Sequence, residues 1–387
     1  MLEFADRKQS DCYKWDSDEA TGKLPLWVAD MDFKAAQPIL AALQRRLDHG
    51  VFGYGIVPQE YFNAVSRWFA TRHNMHGISK ENSIPVTGVV PAIAAVLKAV
   101  SMRKRKPLEV LTLTPAYNCF FSCINNLDCQ LLSSPLTFTD DGFKVRYSID
   151  FVDFERKAQT ADVFLLCNPH NPTGRVWTKQ ELQRMADICR QNDVFVLSDE
   201  IHCEFCFPQN QYIPYSTITS NDNYCVCTSA SKSFNIAGLQ CANIFVPNAV
   251  WYEYINRAVN IHETGELNPF GIVATIAAYN ESGSWLDELN SHIFCNYVFL
   301  TEYLQKNLPL LHPTAMEGTY LAWVRLPDNI TLTATEFCDL LAEQQKVLFN
   351  PSEMYGTSGF IRINLATSRS VLQQALERLR RFVSSNF

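Results

Sequence analysis

Lys232 sits in Ser229-Ala230-Ser231-Lys232-Ser233-Phe234-Asn235, an amine among small hydroxyl residues, followed by an apolar turn that contains Gly238. Alone, the motif suits an amine held beside a bound anion, and it suits an ordinary exposed loop equally well. Three other groups stand in comparable places. Asn171 lies in Asn168-Pro169-His170-Asn171-Pro172-Thr173-Gly174, where prolines beside asparagines lock a loop and aim its amides. Asp199 opens Asp199-Glu200-Ile201-His202, and Gly88-Val89-Val90-Pro91 opens a helix whose free N–H groups would bind a phosphate. Singly, Asp199 could cap a helix and Asn171 could brace a turn. Together they supply a lysine that forms a Schiff base, an acid that keeps a pyridine nitrogen protonated, an amide for a ring hydroxyl and a phosphate cup. Those are the needs of pyridoxal 5'-phosphate. No G-x-G-x-x-G and no G-x-x-x-x-G-K-[ST] is present, which removes the usual dinucleotide and nucleoside-triphosphate readings.

The elements that must position these groups are short apolar runs alternating with helical stretches between about residues 83 and 246. The runs are Glu109 to Thr114, Val163 to Cys167, Val194 to Ser198, Tyr224 to Thr228 and Ala242 to Val246, with another strand ending near Thr87. Thr178 and Glu181 form a capping box at the start of one intervening helix. Continuous apolar strands with helical crossovers predict an α/β fold, a mainly parallel sheet covered on both faces. In such sheets ligands sit beyond the carboxyl ends of the strands. Asn168, Asp199 and Ser229 each follow such an end.

Outside this region a helix is predicted from Pro38 to His49-Gly50, with Ile39, Leu40, Leu43 and Leu47 on one face. Phe52-Gly53-Tyr54-Gly55 is too glycine-rich for a regular element and reads as a turn that displays a tyrosine. Another helix begins near Pro91 and ends at the basic run Arg103 to Lys106, whose cations complement the helix dipole. Asn268-Pro269 starts a helix-rich stretch up to about Leu308. A smaller α+β unit follows: strand Tyr320 to Leu326, helix Ala334 to Gln345, strand Phe360 to Leu365, and a last helix capped by Ser370 with Gln373. The expected organisation is a large domain over residues 49–283 and a small one formed by both chain ends, residues 1–48 and 284–387.

Composition narrows the class. The chain of 387 residues carries a net charge of -7, against a nucleic-acid or anionic-membrane footprint. No apolar run approaches the roughly 20 residues needed to cross a bilayer, and the first ten residues carry four charges. A cytoplasmic protein without signal or anchor is expected. Thirteen cysteines, an odd number without a secretory context, read as reduced thiols, with Cys225 and Cys227 on one face of a strand. His202, Cys203 and Cys206 lack a fourth ligand at a zinc spacing, so no metal is expected.

These motifs resemble the fold-type I pyridoxal-phosphate enzymes of the class I/II aminotransferase superfamily. Trp27-Val28-Ala29-Asp30-Met31-Asp32-Phe33, Phe52-Gly53-Tyr54, Asp199-Glu200-Ile201-His202, Ser231-Lys232-Ser233-Phe234-Asn235 and Gly318-Thr319-Tyr320-Leu321-Ala322-Trp323 are similar to the MalY/PatB branch of carbon-sulfur β-lyases. The resemblance implies a sheet of seven strands, with Lys232, Asp199 and Asn171 in the roles given above. It implies that Tyr117 stacks on the cofactor ring and that Gly88, Val89, Val90, Ser229 and Ser231 form the phosphate cup. Tyr54 would reach the site of the neighbouring subunit, making a homodimer with shared sites. Arg362 would grip the substrate carboxylate, with Ala29 and Tyr54 also on the substrate side. His202 stands where aminotransferases carry a tyrosine, and it is counted with the catalytic groups. Gln240, eight residues after the lysine, replaces a phosphate-binding arginine of many relatives. The segment Met354 to Gly359 is shorter than in close relatives.

The reaction implied is β-elimination on a cysteine S-conjugate, a thioether like cystathionine or a cysteine sulfoxide, giving a thiol or sulfenate, pyruvate and ammonia. An aminotransferase with the same cofactor is the nearest rival. A regulatory protein that retains the cofactor site is the rival of another class.

Overall fold

Apolar runs flanked by amphipathic segments assemble as layers. The computed structural model describes residues 2–263 and 265–387. Helices α1 (Gln37–His49) and α2 (Gln59–His73) precede β1 (Ser83–Val86), α3 (Val89–Lys104), β2 (Glu109–Thr114), α4 (Asn118–Asn126) and β3 (Gln130–Pro135). Then come β4 (Val163–Cys167), α5 (Lys179–Gln191), β5 (Phe195–Asp199), β6 (Tyr224–Thr228) and β7 (Ala242–Phe245). These strands form one seven-stranded sheet in the order β1-β7-β6-β5-β4-β2-β3.

Strands β2 to β6 pair in parallel, whereas β7 is antiparallel to both of its neighbours. The connection explains the reversal. A parallel return needs a long crossover, and between β6 and β7 lie only single turns, Ala230–Ser233 and Ala237–Leu239. Strands β4, β5 and β6 are buried throughout. Their alternate residues serve two cores: Leu165, Leu197, Cys225 and Cys227 pack with α3 and α6 (Ala249–Val259), while Leu166, Val196 and Val226 face α2 and α5. Both cysteines thus lie on one strand face, as the two-residue period requires.

Asn268 caps α7 (Pro269–Glu281), its Oδ1 accepting from Gly271 N at 2.8 Å. The long α8 (Gly283–Asn307) leads to β8 (His312–Pro313), β9 (Leu321–Arg325), α9 (Ala334–Gln345), β10 (Asn350–Pro351) and β11 (Phe360–Asn364). These four strands make an antiparallel sheet in the order β8-β9-β11-β10, and α10 (Arg369–Asn386) ends the chain. The start of the chain joins this unit, because Leu24–Pro25 pairs in parallel with Val347–Leu348.

Two local expectations are corrected and the start of α3 near Pro91 is borne out. The cap of α10 is Ser368, which accepts from Val371 N at 3.3 Å, not Ser370. Ser370 lies inside the first turn, where its hydroxyl meets that of Ser368 at 3.0 Å. Helix α3 starts at Val89, two residues before Pro91, which stands in the first turn, where its missing N–H leaves no broken bond. In α1 the buried residues are Ile39 and Ala42, with Leu43 half-buried, whereas Leu40 and Leu47 are exposed. The helix packs on α7 along a line rotated from the leucine row.

Candidate active site

The register of the large sheet brings the chemistry together. Cys167 pairs with Asp199 and Asp199 with Cys227, so β4, β5 and β6 end level with one another. Because β7 is antiparallel to both β6 and β1, the end of β1 and the following Gly88 open at that same sheet edge. Between this edge and the segment around Ala29 lies a cavity of about 210 Å³. Lys232 and Ser231 enter it from the turn after β6, Asp199 from the end of β5, and His202 from the turn beyond. Asn171 and Tyr117 form further wall, and Gly88, Val89 and Val90 present the start of α3. A larger hollow of about 640 Å³ along α5 gathers no comparable set of converging groups.

Burial sets the charge states here. Asp199 is buried, and burial pushes its carboxyl up to about 7, with the neighbouring Glu200 adding to the rise. The N–H of Ile201, 3.1 Å from Oδ1, and the charge of Lys232 pull the other way. Burial likewise lowers the Lys232 amine below the ordinary lysine value, against the opposing pull of Asp30. A lowered amine is neutral more of the time, as a nucleophile or base must be. Its Nζ donates to the carbonyl oxygen of Ala29 at 2.7 Å. Burial takes His202 down to about 3, with Lys232 and Arg362 adding to the effect, so its imidazole is neutral, and its buried Nδ1 has no protein partner. Burial raises the Tyr117 phenol, with Cys119 contributing.

Arg362 projects from β11 beside Asn171. Its Nη1 donates to Asn171 Oδ1 at 3.3 Å and its Nη2 to the Trp27 carbonyl at 2.9 Å, with the guanidinium 4.9 Å from the centre of the Tyr355 ring. The side chain is 4% exposed, Nε has no acceptor, and among the described residues no carboxylate forms an ion pair with it. A buried cation without an anion is costly.

Four of the residues read from sequence, Arg362, Ser229, Tyr54 and Gln240, are not part of the cavity lining. The Ser229 hydroxyl is engaged away from the cavity, donating to Cys241 O at 2.6 Å and accepting from Ser231 N at 3.0 Å, so it caps the turn that carries Lys232. Tyr54 is 99% exposed and does not line the cavity of its own chain. Gln240, exposed and in the left-handed region at φ 51°, lies outside the cavity lining as well. Sequence reasoning gave no role to Cys167, Ile201 and Ala237, which line the cavity, or to Tyr320, whose hydroxyl donates to Ala29 O at 2.9 Å. Their signal was position: Cys167 ends a strand, and Ile201 and Ala237 follow strand ends.

Among the described residues the close grouping of metal-type side chains is His73, Cys203 and Glu204, rather than His202, Cys203 and Cys206. Glu204 is spoken for. It accepts from Trp68 Nε1 at 2.7 Å and Arg72 Nε at 3.2 Å, and His73 Nε2 lies at 2.7 Å. The group is an ion-pair knot that ties α2 to the turn after β5.

The residues present fit pyridoxal phosphate. A lowered amine stands with a raised, buried acid that forms no close ion pair among the described residues, and helix-start N–H groups at Val89 and Val90 have no acceptor within the helix. The model of the aminotransferase class I and II family matches residues 21–379. The chain is 33% identical over 389 residues to cystathionine beta-lyase PatB of Bacillus subtilis, covering 98% of each protein. It is 32% identical to protein MalY of Escherichia coli over 393 residues, again 98% of each. The crystal structure of cystalysin from Treponema denticola, which contains a pyridoxal 5'-phosphate cofactor, superposes with a TM-score of 0.92 at 30% identity, over 100% of this chain and 99% of that one. The fold, the level strand ends and these matches together place the chain in the aminotransferase class I and II family.

Proposed function

We propose that the protein is a pyridoxal-phosphate-dependent carbon-sulfur β-lyase. Its substrate is an amino acid bearing sulfur on the β-carbon, a cystathionine-like thioether or a cysteine sulfoxide. The products are a thiol or sulfenate, pyruvate and ammonia. The observation that carries the substrate reading is the buried, anion-free guanidinium of Arg362 next to Asn171, a fork suited to an α-carboxylate. Similarity to proteins named cystathionine beta-lyase supports the reaction class.

Bound pyridoxal phosphate supplies an aldehyde that captures an amino group and a ring that accepts electrons from the bonds at Cα. The chain's own groups do the rest. Val89 and Val90 N–H and the Ser231 hydroxyl hold the phosphate at the positive end of α3. Asp199 would hold the ring nitrogen and, once ionised beside it, would favour its protonated form. Asn171 holds the ring hydroxyl, Tyr117 covers the ring face, and His202 adds a neutral polar wall. The Lys232 amine would take the proton from Cα, and Arg362 would fix the carboxylate so that this proton faces the amine. Ala29 closes the substrate side.

The working unit is a homodimer in which Tyr54 serves the partner's site. The support is an irregular segment with Val51, Phe52, Tyr54 and Ile56 all exposed on a single chain, an apolar display that calls for cover. A cytoplasmic location belongs to the same proposal, with thirteen free cysteines as its support. No helix among the described residues is long and apolar enough to cross a membrane.

Purified holoenzyme given L-cystathionine should release pyruvate without any added keto acid. Strict dependence on a keto acid would instead make the protein an aminotransferase. A panel of cysteine, thioethers and cysteine sulfoxides scored by the same product identifies the sulfur substituent.

A further inference from the structure

The segment from Trp27 to Met31 forms neither helix nor strand, yet each of its carbonyls has a donor from a distant side chain. Trp27 O accepts from Arg362 Nη2 and Asn350 Nδ2, each at 2.9 Å. Met31 O accepts from Asn235 Nδ2 at 3.0 Å and Arg7 Nη1 at 2.9 Å. The three carbonyls between them are shared out in a particular way. Asn364 Nδ2 donates to Val28 O at 2.6 Å and to Asp30 O at 2.7 Å, while Ala29 O turns elsewhere, to Lys232 Nζ and Tyr320 Oη.

We propose that Asn364 is a positioning residue: by spanning the Val28 and Asp30 carbonyls it fixes the Ala29 carbonyl as the resting acceptor for the Lys232 amine. Both hydrogens of the Asn364 amide are committed, and its Oδ1 accepts from Ala366 N at 2.7 Å, so the side chain has one orientation. It is 1% exposed, and it stands two residues beyond Arg362 on β11, on the same strand face. One face of one strand therefore sets the carboxylate clamp and, through the backbone at Ala29, the place of the lysine. A hydrogen bond to the charged form of an amine favours that form. The Ala29 carbonyl, 2.7 Å from Nζ, thus steadies the charged form of Lys232 whenever the lysine is free, against the burial that lowers it. This inference rests on the lyase reading, in which Lys232 must be free and aimed while substrate occupies the site.

The test uses the full chain with Asn364→Ala and with Asn364→Ser, whose single hydroxyl donor can serve only one of the two carbonyls. Competitive acetylation of Lys232 across pH in cofactor-free protein, read by mass spectrometry, reports the titration of the amine directly. The midpoint should fall by about one unit in Asn364→Ala and by less in Asn364→Ser, because burial is then less opposed. In the holoenzyme kcat should drop about tenfold or more while KM stays within about threefold, since Arg362 keeps its own bonds to Asn171 and Trp27. An unchanged Lys232 midpoint in the Asn364→Ser protein, with its melting transition intact, overturns the proposal. If pyridoxal phosphate fails to protect Lys232 of the wild-type chain from acetylation, the cofactor reading falls and this inference with it. Protection with an unchanged midpoint removes the inference alone.

Discussion

Arg362 donates through Nη1 to Oδ1 of Asn171 at 3.3 Å, so the proposed carboxylate clamp leans on the proposed holder of the cofactor ring. The two are 191 residues apart in sequence. Replacing Arg362 by Lys keeps the charge and loses the fork. We expect kcat/KM to fall by roughly a hundredfold, about 2.7 kcal/mol, mainly through KM. Combined with Asn171→Ala the losses should be non-additive by roughly 0.5 kcal/mol or more. Strictly additive losses in the double variant would show that the contact carries no energy.

Asp199 sets a trade between activity and stability. Its folded value, about 7, lies above the ordinary 3.8. For an acid raised on folding, nothing is lost below the unfolded value. The penalty grows as pH rises and is complete above about 7, where it is of order 4 kcal/mol. Cofactor-free Asp199→Asn should therefore melt higher than wild type at pH 8 and about equally at pH 4, while turnover drops by orders of magnitude. Thermal melts at the two pH values check the sign, and equal melting at pH 8 would contradict the burial argument.

Lys232→Ala should abolish the absorbance that pyridoxal phosphate gains on joining the wild-type lysine, and lower turnover by at least about a thousandfold. The visible spectrum and a pyruvate assay decide this together. An unaltered spectrum would move the imine-forming role to another lysine.

Lys14 is fully buried, with Nζ 3.0 Å from Asp32 and 3.7 Å from Asp30, and Arg7 reaches Asp30 at 2.7 Å. Lys14→Met would leave Asp32 charged and buried without its nearest cation. A loss of roughly 3–5 kcal/mol is expected in urea unfolding, partly recovered by Asp32→Asn in the same chain. A loss below about 1 kcal/mol would mean that Arg7 alone satisfies both acids.

The strands that carry the site were legible because both of their faces are buried, which writes them as unbroken apolar runs such as Val163–Cys167 and Tyr224–Thr228. Residues following such runs fall at one sheet edge by geometry, and hence the sequence itself gathers Asn171, Asp199 and Lys232. The direction of β7 was also present in the sequence, in the lack of a full helix between Thr228 and Ala242, but a run of apolar residues carries no arrow. What a sequence window cannot show is a bond between distant side chains and backbone. Asn364, Tyr320 and Asn350 look like ordinary sheet residues until Val28, Ala29 and Trp27 are laid against them. The burial of Lys14 is hidden for the same reason, since its neighbours Asp30 and Asp32 return to it only in the folded chain. The Ser370 cap failed on a smaller scale, where two nearby serines competed and backbone angles chose the earlier one.

The site closes over a very long loop of chain. Trp27 meets Arg362 across 335 positions, and Leu24–Pro25 finds its strand partner only at Val347–Leu348. On the ribosome the early segment is made long before these partners exist. The large sheet can form once β7 has emerged, but the pocket lacks its roof and its carboxylate clamp until β11 leaves the exit tunnel. The groups proposed to hold the cofactor all precede β11, so a nascent chain stalled before Phe360 would carry them on a folded sheet and still lack the proposed carboxylate clamp.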